Sequence, residues 1–164
     1  MTQHYSNQQV NRVPVYLDPA TGYIPSDQVA PVESTDSIVI QVMALAANLA
    51  DSETTYFGAM PVAPTTTAGT RKVYVPKSGT ISKVHVYSYS STAGSGEQWT
   101  VSLRLNDTTD HLVAAVSTAA SERIFADDSA IAVVAGDFFE IKSIQPAWST
   151  NPEGTSFAGY VFIE

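Results

Sequence analysis

Apolar and polar positions alternate along most of the chain from about residue 54 onward. In the clearest run, residues 99–105, the apolar side chains share one face: Trp99, Val101, Leu103 and Leu105. The intervening positions are more polar: Thr100, Ser102 and Arg104. A period of two is typical of a β-strand with one face in the core and the other toward water.

Similar runs follow one another, separated by turn signals rich in Gly, Pro, Asn and Asp, such as residues 93–96 and 151–154. The predicted strands are Thr55–Met60, Arg71–Val75, Thr80–Ser90, Glu97–Asn106, His111–Ser117, Glu122–Phe125, Ala130–Val134, Asp137–Ile144 and Ser156–Ile163. Many short strands at close spacing indicate a sandwich or a barrel. We predict an all-β jelly-roll β-sandwich of about eight strands over residues 54–164.

Two of these strands carry large side chains on both faces. In the last strand Phe157, Val161 and Ile163 alternate with Ala158, Tyr160 and Phe162. Earlier, Val84, Val86 and Ser88 alternate with His85, Tyr87 and Tyr89. One face of such a strand meets the core, and the other is expected to meet a neighbour. We therefore predict a subunit interface that contains Tyr87, Tyr89, Tyr160 and Phe162.

The first 36 residues follow a different pattern. Prolines at 14, 19, 25 and 31 forbid a central strand, so this segment is predicted to be an extended arm. Such an arm cannot build its own core. Its apolar residues dock on the main domain or on a partner: Tyr16, Leu17, Tyr23 and Ile24.

Residues 37–53 permit two interpretations. Ile38–Ile40 is β-branched, which favours a strand. Met43–Ala50 favours a helix by propensity, and Asp36 and Ser37 are plausible helix caps. We describe this segment as a linker strand or short helix between the arm and the sandwich.

Composition narrows the class of protein. The 164 residues are enough for one domain, and the formal net charge is -8 with only eight Lys and Arg. An acidic chain is unsuited to nucleic acid or to an anionic membrane surface. The absence of cysteine excludes disulfides and thiol chemistry. No signal-peptide pattern is seen after Met1, and the longest apolar run, 38–50, is too short to span a bilayer.

No catalytic constellation is visible. His4, His85 and His111 lack zinc-site spacing, and no Gly-x-Ser-x-Gly elbow is present. His85 is expected to face outward from its strand. The sequence thus assigns no catalytic, cofactor-binding or metal-binding residue.

Two further groups of residues are candidate ligand sites. Loop carboxylates could converge on Ca²⁺, but turn-forming or solvated side chains are the favoured interpretation: Asp107, Asp110, Asp127 and Asp128. Trp99 and Trp148 could stack on sugars. Trp99 lies on the apolar face of its strand, so a core position is favoured, and for Trp148 the preference for the core is smaller.

Several stretches together resemble a domain common in phage and prophage structural proteins. They are Thr55–Gly58, Ala63–Ile81, Gly96–Asn106 and Val134–Lys142. The turn Ala135-Gly136-Asp137 before a strand is similar to the C-terminal strands of C1q-like and tumour-necrosis-factor-like jelly rolls, which are trimeric. The resemblance covers about residues 54–164.

This resemblance implies a homotrimer and a non-enzymatic bacteriophage virion surface protein. The expected type is a capsid decoration protein or head fibre, whose arm docks on the major capsid protein. The alternative is the receptor-binding knob of a tail fibre or other appendage, which binds a host surface glycan or protein through loops near 90–97 or 148–153. An enzyme such as a polysaccharide depolymerase is disfavoured.

Overall fold

The computed structural model of the chain describes residues 37–164, except for residues 97, 118 and 129. The predicted arm, with Tyr16, Leu17, Tyr23 and Ile24, lies outside the described residues. Ten strands form the described part: β1 Ile38–Ala47, β2 Thr54–Phe57, β3 Val73–Tyr74, β4 Gly79–Tyr89, β5 Gln98–Leu105, β6 Thr109–Ser117, β7 Glu122–Asp127, β8 Ile131–Val133, β9 Phe138–Ile144 and β10 Thr155–Ile163.

The strands form two antiparallel sheets. The first sheet has the order β1-β10-β4-β7, and the short β8 also pairs with β4. The second has the order β2-β9-β5-β6, and the short β3 also pairs with β9. Without β3 and β8, eight strands remain, and numbered along the chain their orders are 1-8-3-6 and 2-7-4-5. This is the strand order of a jelly roll, and it confirms the predicted fold class.

The segment between the predicted arm and the sandwich is a strand. β1 pairs with β10 from Ile38 opposite Ile163 to Ala44 opposite Phe157, and every second residue then points into the core. Val42 and Ala44 are buried there, as is Leu49 just after the strand. The predicted linker is thus an edge strand of the sandwich itself. The helix alternative is wrong, because pairing with β10 outweighs the helix propensity of this run.

Aromatic rings fill the core between the sheets. Trp99 is fully buried, and its ring lies 6.0 Å from Phe125 and 5.6 Å from both Trp148 and Phe157, measured between centroids. Phe57 stacks on Phe157 at 4.7 Å. The core positions favoured for both tryptophans are confirmed. These rings come from both sheets and from the loop before β10, so they hold the layers together by burial of apolar area.

The turn that leads into β9 is closed by polar side chains. Gly136 has a φ of 93°, which suits a residue without a side chain. Asp137 accepts hydrogen bonds from the Val134 amide at 2.8 Å and from Asn106 Nδ2 at 3.0 Å. These bonds lower the pKa of the Asp137 carboxyl.

No helix in the described part of the chain is long and apolar enough to cross a membrane.

Candidate functional site

The outward-pointing side chains of the first sheet form one mainly apolar surface, which we call the first outer face. Alternation along the strands creates it, since the neighbouring positions Val84, Val86, Val161 and Ile163 point inward and are buried. The first outer face consists of Val39, Gln41 and Met43 of β1, Ala158, Tyr160 and Phe162 of β10, His85, Tyr87 and Tyr89 of β4, and Ile124 and Ala126 of β7.

Strand register places these side chains in rows across the sheet. Tyr160 lies between Gln41 and His85, and Tyr87 lies between Ala158 and Ile124. The side chains of Tyr87, Tyr89 and Tyr160 are 39–48% exposed, and that of Ile124 is 70% exposed. Exposed side chains of this size are few on a typical strand surface, and here they adjoin one another.

All four residues predicted for a subunit interface lie on this face. Tyr87, Tyr89 and Tyr160 are exposed, whereas Phe162 is half-buried because its ring packs edge-on against His85, with centroids 5.9 Å apart. The outward orientation predicted for His85 is confirmed. Their role in an interface stays a prediction.

An open apolar groove of about 170 Å³ crosses the middle of the first outer face. Its walls are Tyr87, Ile124, His85 and Tyr160, and its floor includes Ala158 and Gly159. A Cβ atom at Gly159 would lie 2.3 Å from the carbonyl oxygen of His85. Only glycine therefore lets β10 approach β4 this closely. The groove exists because small residues separate two tyrosines.

Charges are few on the first outer face. Lys83 and Glu122 lie at its rim, and Lys83 Nζ is 3.7 Å from a carboxylate oxygen of Asp128. Desolvation, together with the nearby Glu122 carboxylate, raises the pKa of the Tyr87 hydroxyl. The face is therefore close to neutral, although the chain as a whole has a net charge of -8.

The outer side of the second sheet carries a cluster of ion pairs, although Tyr74 and Ile144 are exposed on it as well. Asp110 accepts hydrogen bonds from Arg104 Nη1 at 2.8 Å and from Lys142 Nζ at 2.5 Å. Burial alone would raise the pKa of the Asp110 carboxyl, but the two hydrogen bonds and charges outweigh it, and the pKa is lowered. Ion pairs of this kind keep the surface hydrated, since taking charges out of water is costly.

A buried carboxylate of the second sheet, Glu140, was not predicted from the sequence. Glu140 is fully buried, although it lies on the outer side of β9 between the buried Phe139 and Ile141. Its carboxylate accepts hydrogen bonds from the backbone amides of Gly69 at 2.7 Å and Arg71 at 2.5 Å. It thereby holds residues 58–72, which we call the covering loop, against the second sheet. In the sequence, a charged residue between Phe139 and Ile141 of an otherwise apolar strand was the signal that could have identified Glu140.

Three of the carboxylates considered for Ca²⁺ are described, and they do not converge; Asp110 lies in β6 rather than in a loop. Asp107 lies 3.9 Å from Lys72 and Asp110 is paired with Arg104 and Lys142, whereas Asp128 belongs to the rim of the other sheet. Among the described residues, no group of three or more His, Asp or Glu side chains could hold a metal ion.

The loops that were expected to bind a host ligand pack against each other. Backbone bridges join Thr92 to Glu153 and Ser95 to Thr150. Trp148 is buried beneath them rather than displayed. Within the described part of residues 90–97 and 148–153, no aromatic side chain is exposed.

Together, the strand order and this face define a jelly-roll protein with one apolar outer surface. No protein-family model and no curated protein matches the chain. Among solved structures, the chain is similar to Eiger TNF from S. frugiperda, with 15% sequence identity over 77% of this chain and 93% of that one, at a TM-score of 0.38. The fold assignment rests on the strand order rather than on this likeness.

Proposed function

We propose that this chain is a non-enzymatic structural protein of a bacteriophage virion surface, of the capsid decoration or head-fibre type. It assembles as a homotrimer through the first outer face, and its N-terminal arm anchors it to the major capsid protein. The observation that carries the self-association is the adjoining set of exposed tyrosines on a nearly neutral sheet face. The resemblance of residues 54–164 to phage structural domains supports the virion assignment.

A second copy of the chain is the partner that best suits this face. Each copy has a net charge of -8, so copies repel one another unless they meet where charge is low. The first outer face provides such a place. Tyrosine is enriched in the centres of protein interfaces and charged residues are depleted there, which matches the residues found on it. The resemblance to trimeric jelly rolls supports three copies.

The arm supplies the proposed anchor. The arm contains four large apolar residues in a segment whose prolines predict an extended conformation: Tyr16, Leu17, Tyr23 and Ile24. Docking on the major capsid protein would bury them. A protein that binds only the assembled shell stabilises that shell by mass action.

The oligomer is tested by measuring the molecular mass of the full chain by sedimentation equilibrium. Tyr160→Lys places a charge in the middle of the first outer face. We expect it to weaken association by about 2 kcal/mol or more per interface, which is roughly 30-fold in the dissociation constant. Tyr74→Lys is the matched control, because Tyr74 is 63% exposed but lies on the second sheet.

Three outcomes of that measurement are informative. A wild-type trimer that Tyr160→Lys dissociates and Tyr74→Lys leaves intact supports the proposed interface. A monomeric wild type rules out the homotrimer. A trimer that tolerates Tyr160→Lys as well as the control assembles through another surface.

The anchor is tested by co-sedimentation with DNA-filled heads that lack this protein. The full chain should sediment with the heads, and a full-length variant with alanine at the four arm positions should remain in solution: Tyr16, Leu17, Tyr23 and Ile24. If neither protein binds heads, decoration is wrong. Binding of both proteins to host cells would then favour the receptor-binding alternative.

A further inference from the structure

His85 introduces a basic, titratable group into the first outer face. It lies on the central strand β4 and forms part of the groove wall, where it is half-buried. Its ring packs against Phe162, and Tyr160 is its partner in register on β10. Histidine is the side chain that ordinarily gains or loses its charge between about pH 5 and 8.

No Asp or Glu side chain in the described part of the chain forms a salt bridge with this imidazole. Ala126 is opposite on β7, and Tyr160 and Phe162 face it from β10. On its own strand the neighbours on the same face are Lys83 and Tyr87, and the Lys83 ammonium is already near Asp128. Glu122 lies farther along, opposite Tyr89. An imidazolium at residue 85 would therefore be charged among aromatic and apolar groups.

We propose that protonation of His85 opposes self-association, so that assembly of this protein is reversed by mild acid. The inference rests on the proposed homotrimer. When copies cover the first outer face, His85 loses water, and burial disfavours the charged form of a base. The assembled state then binds fewer protons than the free chains. By linkage, the association constant falls as the pH falls through the range in which histidine titrates.

General electrostatics predicts the opposite trend. The isoelectric point is near 4.6, so acidification from pH 7.5 to 5.5 lowers the negative charge of each copy and weakens their repulsion. Without His85, association should therefore stay constant or tighten over this range. A weakening of association in acid thus distinguishes the specific histidine from the overall charge.

The experiment is sedimentation equilibrium of the full chain at pH 7.5, 6.5 and 5.5 in 0.15 M salt, which screens long-range charge. We expect the trimer association constant of the wild type to fall at least about tenfold across this range. In His85→Phe it should stay constant or rise. His111→Phe is the matched control, because His111 lies on β6 of the second sheet, and it should behave as the wild type.

Each result bears on the inference. A wild type that is monomeric at every pH overturns both the homotrimer and the role of His85. A trimer whose association constant does not fall in acid overturns only the role of His85. A fall that persists in His85→Phe assigns the effect to another group and also overturns it.

A second variant guards against misfolding. His85→Gln keeps a polar but uncharged side chain, and it should associate without the loss at pH 5.5. Circular dichroism at each pH shows whether the dissociated chain keeps its β structure. Unfolding of the wild type and both variants at pH 5.5 would attribute the loss of trimer to the fold and would overturn the inference.

Discussion

The buried Glu140 carboxylate is expected to be a main support of the covering loop. It accepts two backbone hydrogen bonds, from Gly69 at 2.7 Å and from Arg71 at 2.5 Å, and is itself shielded from water. Hydrogen bonds to a charged group contribute about 1.5–3 kcal/mol each. Glu140→Gln retains one acceptor oxygen but turns an NH₂ group toward the other donor. We therefore expect a loss of about 2–3 kcal/mol in the free energy of unfolding.

The assay is urea denaturation at a fixed protomer concentration, since any self-association would make the measured stability depend on concentration. Glu153→Gln makes the same chemical change at an exposed site and should alter the free energy of unfolding by less than about 0.5 kcal/mol. Hydrogen exchange gives a local readout, because the amides of Gly69 and Arg71 should lose protection in Glu140→Gln. If stability and the protection of both amides are unchanged, Glu140 does not hold the loop.

Two further predictions concern the sheets. Gly159→Ala should destabilise the fold by about 3 kcal/mol, because the new Cβ would lie 2.3 Å from the His85 carbonyl oxygen. Its melting temperature should fall, and a melting temperature within about 1 °C of the wild type would contradict this close approach. Hydrogen bonds from Lys142 and Arg104 outweigh desolvation and lower the folded-state pKa of the Asp110 carboxyl. The ionised carboxylate therefore stabilises the fold at pH values above the ordinary aspartate pKa of about 3.9. Asp110→Asn should therefore be less stable than the wild type at pH 7, and the difference in unfolding free energy should shrink as the pH falls below that value and through the lowered pKa of Asp110.

The strand pattern was readable from the sequence because alternation is a local signal. Trp99, Val101 and Leu103 alternate with more polar residues over a long run, and all three are fully buried. The same rule placed His85 and Tyr160 on the outward side. Local alternation reports which face a side chain occupies, and it was correct for these residues, although Ser102 on the polar face of β5 is buried rather than exposed to water.

The features that could not be predicted from the sequence depend on residues far away along the chain. Residues 38–47 satisfy both a strand and a helix pattern, and pairing with β10, more than 100 residues later, decides between them. Glu140 likewise has its partners about 70 residues earlier, at Gly69 and Arg71. A charged residue in an apolar strand signals that a partner exists but does not say which one. The order of strands in the sheets was not predicted from the sequence, because alternation carries no information about pairing.

The outer surfaces of the two sheets differ in the free energy of removing their side chains from water. Covering the Asp110 cluster with another copy would desolvate its ions, at an effective cost of several kcal/mol per ion unless new partners replaced the water. Covering Tyr87, Tyr160 and Ile124 removes apolar area from water, which stabilises association by about 25 cal/mol per Å². The chain's own covering loop already protects part of the second sheet through Glu140. Self-association through the first outer face is thus the arrangement that buries apolar side chains and leaves the ion pairs hydrated.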